Sequence, residues 1–172
     1  MQTKPEKGDT IAILTTNMGE IKVLLYTKDV PETAKNFAEL AKAKKYDDTI
    51  FHRVINNFMI QGGDFENRNG TGGYTYKGEG TTLKDEINPN LSHVRGAISM
   101  ANSGAHTNSA ASQFFIVQNP SGTKFLDGDY AIFGYAYEGM DVVDKIAEVK
   151  TNAMDKPLKD VVLEKVEIKT QE

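Results

Sequence analysis

Apolar and polar positions alternate through Ile11 and Ile13, break at Thr16-Asn17-Met18-Gly19, and resume through Ile21, Val23 and Leu25. The pattern predicts a β-hairpin entering the fold. Pro31 then opens a segment in which Ala34, Phe37, Ala38 and Ala41 recur at helical spacing. A helix starts there. Strand-like apolar runs follow at 49–55, 58–61, 96–100, 113–117 and 131–134. A second, shorter helix is predicted over 140–149, with Val142, Val143 and Ile146 turned inward. The tail, 161–169, is rich in β-branched residues, and its apolar phase changes between Leu163 and Val166. That slip predicts a bulge. Many short strands with only two helices point to a closed antiparallel barrel under helical lids rather than a parallel sheet.

Between Gly62 and Gly80 lie seven glycines, a composition that predicts a loop wrapped over the surface. The GTGG within it has no Lys-Ser/Thr pair and no helix after it, so it is a poor phosphate cradle. The chain has 172 residues, enough for one well-buried core, and is read as a single domain over 1–172. Its formal charge of -4 argues against a nucleic-acid partner. Lys42, Lys44 and Lys45 cluster where the first helix ends, and cations there complement the helix dipole. Cysteine is absent, which excludes disulfides, thiolate metal sites and thiol nucleophiles and fits a reducing compartment. The opening MQTKPEKGDT lacks the apolar core of a signal peptide, and no apolar run reaches the length of a membrane span. A cytoplasmic monomer without a membrane partner is expected.

The three histidines, His52, His93 and His106, form no pair at ligand spacing, and neither DxDxDG nor HExxH occurs, so no metal is expected. No GxSxG elbow marks a serine hydrolase. Asp85 and Glu86, beside Asn88-Pro89, read as a solvated loop rather than a catalytic carboxylate pair. The stretch FHRVINNFMIQGGDF, residues 51–65, is harder to dismiss. It sets Arg53 among Phe51, Val54, Phe58 and Met59. A guanidinium keeps its charge at ordinary pH, and burying it unpaired is costly. Either a carboxylate neutralises Arg53, or the arginine lines an apolar pocket. A second block, GAISMANSGAHTNSAASQFFIVQ (96–118), begins and ends as a strand. Its adjacent Phe114 and Phe115 face opposite sides, one toward the core and one free for a pocket. The third, KFLDGDYAIFG (124–134), holds Phe125 and Leu126 against an Asp-Gly turn.

Together, and in that order, FHRVINNFMIQGGDF, SMANSGAHTNSAASQFFI and FLDGDYAIFG resemble the cyclophilins, the cyclosporin-binding peptidyl-prolyl isomerases. The likeness runs from about Ile11 to Ile168. It implies a closed eight-stranded antiparallel β-barrel capped by two α-helices, with the active groove on the barrel's outer face. It implies catalysis of rotation about X-Pro bonds in peptides and folding proteins, a chaperone-like role, with no covalent intermediate and no cofactor. Arg53 matches the family's catalytic arginine. Phe58, Met59, Phe115 and Leu126 match the walls of the pocket for the proline ring. Gln61 matches the glutamine that binds substrate backbone, and Ala101 with Asn102 the edge that pairs with the peptide. Gln113 lines the same groove, and Ser103 lies near the neighbouring pocket for side chains preceding the proline. Two positions depart from the better-known pattern. Phe125 stands where many members carry the tryptophan that contacts cyclosporin, and Tyr130 where many carry a histidine of the proline pocket. Reduced affinity for cyclosporin is therefore expected.

Taken singly, these residues have plainer readings. Arg53 could be a paired structural arginine, the apolar residues core, Gln61 a strand-end partner and Asn102 a turn residue. His52 is read as structural and hydrogen-bonded rather than as a proton shuttle. A proline-peptide binding module and a barrel holding a small ligand in its interior are the rival readings of the same residues.

Overall fold

The computed structural model describes residues 1–172. Its strands are β1 (Thr10–Thr16), β2 (Gly19–Leu25), β3 (Thr49–Ile50), β4 (Arg53–Ile55), β5 (Met59–Gly62), β6 (Ala97–Met100), β7 (Phe114–Val117), β8 (Ile132–Glu138) and β9 (Val162–Thr170). Its helices are α1 (Pro31–Lys42) and α2 (Met140–Ala147). The nine strands form one sheet in the order β3-β9-β1-β2-β8-β6-β7-β5-β4, and every pairing is antiparallel. The expectation of a closed eight-stranded barrel is corrected here. The sheet is a curled half-barrel whose hydrogen-bonded ladder stays open between β3 and β4.

The extra strand arises where the apolar run 49–55 changes partners. Thr49 and Ile50 pair with Leu163 and Val162 of β9, while Arg53 pairs with Gln61 of β5. Phe51 and His52 lie between, in neither ladder's register. One continuous hydrophobic run thus supplies both outer strands of the sheet.

The β1–β2 hairpin turns where the alternation breaks, with Thr16 Oγ1 donating to the Gly19 carbonyl at 2.7 Å. The bulge in the tail is also present. Thr15 pairs with Lys165 but Thr16 with Leu163, which leaves Glu164 as the extra residue. α1 packs on β8 and β9, and α2 on β2, β4 and β5. Val30, at the N-cap of α1, offers no side-chain acceptor. Glu86 takes that role from a distance, accepting from the backbone N–H and hydroxyl of Thr33. A carboxylate at a helix N-terminus satisfies orphan amides and complements the dipole. The Asp85–Glu86 loop is therefore held rather than merely solvated. Asp85 also exchanges two hydrogen bonds with Asn108, at 2.9 and 3.0 Å.

A single cluster of 38 buried apolar residues fills the molecule. At its centre Phe114 meets Phe37, Tyr46 and Phe51 edge-on, at ring distances of 5.5, 5.6 and 6.2 Å. Burial of this ring leaves its neighbour in sequence, Phe115, on the opposite face of β7. No helix is long and apolar enough to cross a membrane.

Candidate active site

The register of four neighbouring strands places Arg53 opposite Gln61, Gln61 opposite Phe115, and Phe115 opposite Ser99. Residues paired across antiparallel strands share one face of the sheet. Their neighbours Val54, Ile60, Phe114 and Ile116 turn inward and are buried. The row thus faces away from the core, above a groove of about 560 Å³.

The groove's apolar floor is Phe58, Met59, Ala101, Phe115, Leu126 and Tyr130. Phe115 stacks on His93 with ring centroids 5.8 Å apart, and Tyr130 stands edge-on to Phe115 at 5.6 Å. His93 is fully buried, with Nδ1 at 2.7 Å from Asp127 and Nε2 at 2.9 Å from the Ser99 hydroxyl. Burial pushes the His93 pKa down, against the pull of Asp127. Asp127 itself sits below its usual range: burial pushes it up, but the Ser92 hydroxyl, the His93 amide and the His93 ring pull it further down. A neutral ring facing a carboxylate must carry its proton on Nδ1, so Nε2 accepts from Ser99. His93 is therefore a fixed backing plate for the aromatic floor.

Arg53 is exposed at the groove's edge and makes no ion pair. The choice left open by the sequence falls on the pocket. Behind it, His52 is buried with Nδ1 lacking any partner, and the expectation of a hydrogen-bonded structural histidine is corrected. Burial lowers its pKa; Asp64 opposes this, while Arg53 and Lys156 add to it. Gly70 covers the ring at a φ of +96°, where a Cβ would come within 2.9 Å of Nε2.

The glycine-rich loop is fixed by one carboxylate. Asp64, 1 % exposed, accepts at Oδ1 from the amides of Glu66 and Asn67 and at Oδ2 from those of Asn69, Gly70 and Gly72. Burial raises its pKa, but these amides outweigh burial and hold it below the ordinary value. The carbonyls of Gly70 and Gly72 then accept from Gln113 Nε2 at 2.9 and 2.8 Å. Gln113 Oε1 in turn accepts from Gln61 Nε2 at 3.1 Å. This chain leaves the Gln61 carbonyl oxygen free to face the groove. Asn102 anchors through Nδ2 to the Asp129 carbonyl at 2.9 Å, while its own backbone N–H and C=O have no partner within the chain.

Nine of the predicted residues line the groove: Arg53, Phe58, Met59, Gln61, Ala101, Asn102, Phe115, Leu126 and Tyr130. Ser103 and Gln113 line an adjoining cavity of about 280 Å³, shared with Gln61, Ala101 and Asn102. Phe125 lines neither and stands at the rim, 72 % exposed and stacked on Phe58 at 6.0 Å. The three-residue 3₁₀ turn Lys124–Leu126 explains the difference, since successive residues there point about 120° apart. Sequence reasoning missed Asn69, Gly70, Asn152, Met154 and Lys156 as lining residues. Only the glycine carried a signal, its place in a glycine-rich run.

The family model for cyclophilin type peptidyl-prolyl cis-trans isomerase/CLD matches residues 10–168. The chain is 50 % identical over 145 residues to peptidyl-prolyl cis-trans isomerase-like 1 of Rhizopus delemar, covering 84 % of each chain. To the protein of the same name in Mus musculus it is 44 % identical over 149 residues, 86 % of each. Among solved structures, a Cryptosporidium parvum cyclophilin type peptidyl-prolyl cis-trans isomerase superposes with a TM-score of 0.88 at 33 % identity, over 95 % of this chain and 99 % of that one. The same enzyme in the presence of the dipeptide Ala-Pro gives 0.86, over 94 % and 99 %.

Proposed function

The chain belongs to the cyclophilin-type peptidyl-prolyl cis-trans isomerases, and we propose that Arg53 is the group by which it accelerates rotation about X-Pro bonds. The observation that carries the assignment is an unpaired guanidinium beside an apolar pocket, in one cross-strand row with Gln61 and Phe115.

Rotation about X-Pro needs no covalent catalyst. Its barrier of about 18–20 kcal/mol comes from amide resonance. As the bond twists, the proline nitrogen pyramidalises and regains a lone pair able to accept a hydrogen bond. Arg53 donates to that region more strongly in the twisted state than in either planar isomer. Only such differential binding lowers the barrier. A thousandfold acceleration requires about 4 kcal/mol, within reach of a charge-assisted hydrogen bond in a partly desolvated groove. Phe58, Met59, Phe115 and Leu126 hold the proline ring, with Tyr130 closing the floor. The Gln61 carbonyl and the unpaired backbone of Asn102 bind the peptide's main chain. Proline-containing peptides and unfolded proteins are the substrates this arrangement suits. NMR exchange spectroscopy on an X-Pro tetrapeptide tests the reading: cross-peaks between the two isomers appear on adding catalytic amounts of protein, and their absence overturns it.

Two expectations follow from the same chemistry. Turnover is expected to be flat from about pH 6 to 9, because a guanidinium does not titrate there. Burial moves the titration of His52 toward acid, away from the neutral and alkaline part of that range. A step in kcat/KM near neutrality, with the fold unchanged, would implicate one of the three histidines instead. The second concerns Phe125, whose exposed ring on the rim has no donor to offer. Phe125→Trp supplies an indole N–H and is expected to tighten cyclosporin binding by about 0.5–1.5 kcal/mol, the worth of one net hydrogen bond. Calorimetric titration of both proteins measures this, and equal affinities refute the drug contact assigned to that position.

A further inference from the structure

One wall of the groove owes nothing to the three motifs. It is the hairpin loop 151–157, which contributes Asn152, Met154 and Lys156. Thr151 and Pro157 form its closing bridge, and the Asn152 N–H donates to the Lys156 carbonyl at 2.8 Å. The Asn152 side chain folds inward, its Oδ1 accepting from the amides of Met154 and Lys156 at 2.9 and 3.1 Å. The Asp155 carbonyl then accepts from the Val54 N–H at 2.8 Å, which ties the loop to β4 directly beside Arg53. The loop is a rigid bracket, and it sets the base of Lys156 at a fixed place next to the proposed catalytic arginine.

The charge around this bracket is one-sided. The groove is lined by two basic side chains, Arg53 and Lys156, and by no carboxylate, although the chain as a whole carries -4. Lys156 makes no ion pair, and both cations act electrostatically on the buried His52 ring. The nearby anion, Asp64, already has its oxygens occupied by backbone amides. Asp155 contributes its carbonyl to the bracket, and its side chain does not line the groove. Met154, 81 % exposed, adds an apolar lip.

From this juxtaposition we infer that the chain prefers substrates bearing a carboxylate side chain one or two residues after the proline, and that Lys156 is the residue that selects them. The inference rests on the isomerase reading above, taken with the direction the resemblance implies, in which side chains before the proline lie at the cavity beside Ser103. Those after it must then leave across β4, where Lys156 and Met154 wait. The carboxylate pairs with the ammonium while its methylenes lie on the Met154 lip.

The test is titration of amidated peptides Ala-Ala-Pro-Glu-Ala and Ala-Ala-Pro-Gln-Ala, and of Ala-Ala-Pro-Ala-Glu and Ala-Ala-Pro-Ala-Gln, at neutral pH and low salt. In at least one pair the glutamate peptide is expected to bind about two- to fivefold more tightly, the range of a solvent-exposed ion pair, and the ratio to fall as salt is raised. Lys156→Gln brings the ratio to about one, and Lys156→Glu inverts it. Because each ratio is taken within one protein, a general loss of affinity in a variant cancels. Ratios of one for both pairs in the unaltered chain, or a preference that survives Lys156→Gln, overturn the inference. Isomer exchange on the glutamine peptides reports separately on the isomerase reading. Its failure beside a surviving affinity ratio would sink that reading and leave the selection by Lys156 standing.

Discussion

Arg53→Ala is expected to lower kcat/KM on X-Pro peptides by roughly a hundredfold to a thousandfold, the usual loss when one preorganised donor to transition-state charge is removed. The loss should fall on kcat, because the proline pocket that binds the ground state remains. The fold should stand. Arg53 is exposed and makes no ion pair, so its removal orphans no buried charge and opens no core cavity. Arg53→Lys separates charge from geometry, since an ammonium keeps the charge but loses the planar fork of donors. It is expected to recover only part of the rate. Exchange spectroscopy gives the rates and thermal unfolding the stability. A variant that folds as before and retains kcat/KM within a few-fold would falsify the role given to Arg53.

The second large effect is expected away from the groove. Asp64→Ala removes the common acceptor of five amides, those of Glu66, Asn67, Asn69, Gly70 and Gly72. Leaving such donors without partners in a part-buried loop is expected to cost about 2–4 kcal/mol of stability. The damage should also reach the substrate site. Once the carbonyls of Gly70 and Gly72 move, Gln113 loses its two acceptors and Gln61 its orientation. KM should rise even under conditions where the variant is fully folded. A pH signature accompanies this. The folded pKa of Asp64 lies below its ordinary value of 3.8, so its contribution is complete above that value and is lost as pH falls through the folded one. Asp64→Asn should therefore be less stable near neutrality and show less of this acid loss. Urea unfolding at pH 7 and pH 3 measures both, and equal midpoints for the two proteins at pH 7 would end the argument.

Features governed by neighbours in sequence are legible in the sequence alone. The break at Thr16–Gly19 marks the hairpin turn, Pro31 begins α1, and the phase slip after Leu163 marks the bulge at Glu164. The motif residues converge on one groove because alternation in β5 and β7 sends Met59, Gln61 and Phe115 to the same side. What escaped depends on partners distant in sequence. Nothing in TIFHRVI tells that the chain leaves β9 at Ile50 and joins β5 at Arg53, since every position there suits either ladder. Glu86 looks like any loop acid until α1 arrives at its oxygens. Phe125 sits in a motif, yet the pitch of a single turn carries it outside the groove. Lys156 belongs to no motif, and its place follows from the hydrogen bond between Asp155 and Val54.

The strand β9 holds β1 along one side and β3 along the other, with Thr10 paired to Thr170 and Thr49 to Leu163. Both contacts join segments more than a hundred residues apart, and closing such loops is the slow, high-contact-order part of folding. During synthesis β1 and β3 emerge long before β9, so Thr49 and Ile50 lack their strand partners until Val162 and Leu163 are made, whereas Arg53 pairs earlier with Gln61 of β5. A catalyst of slow steps in other chains thus closes one flank of its own sheet through slow, long-range contacts, while the row Arg53, Gln61, Phe115 and Ser99 is laid down on strands that do not wait for β9.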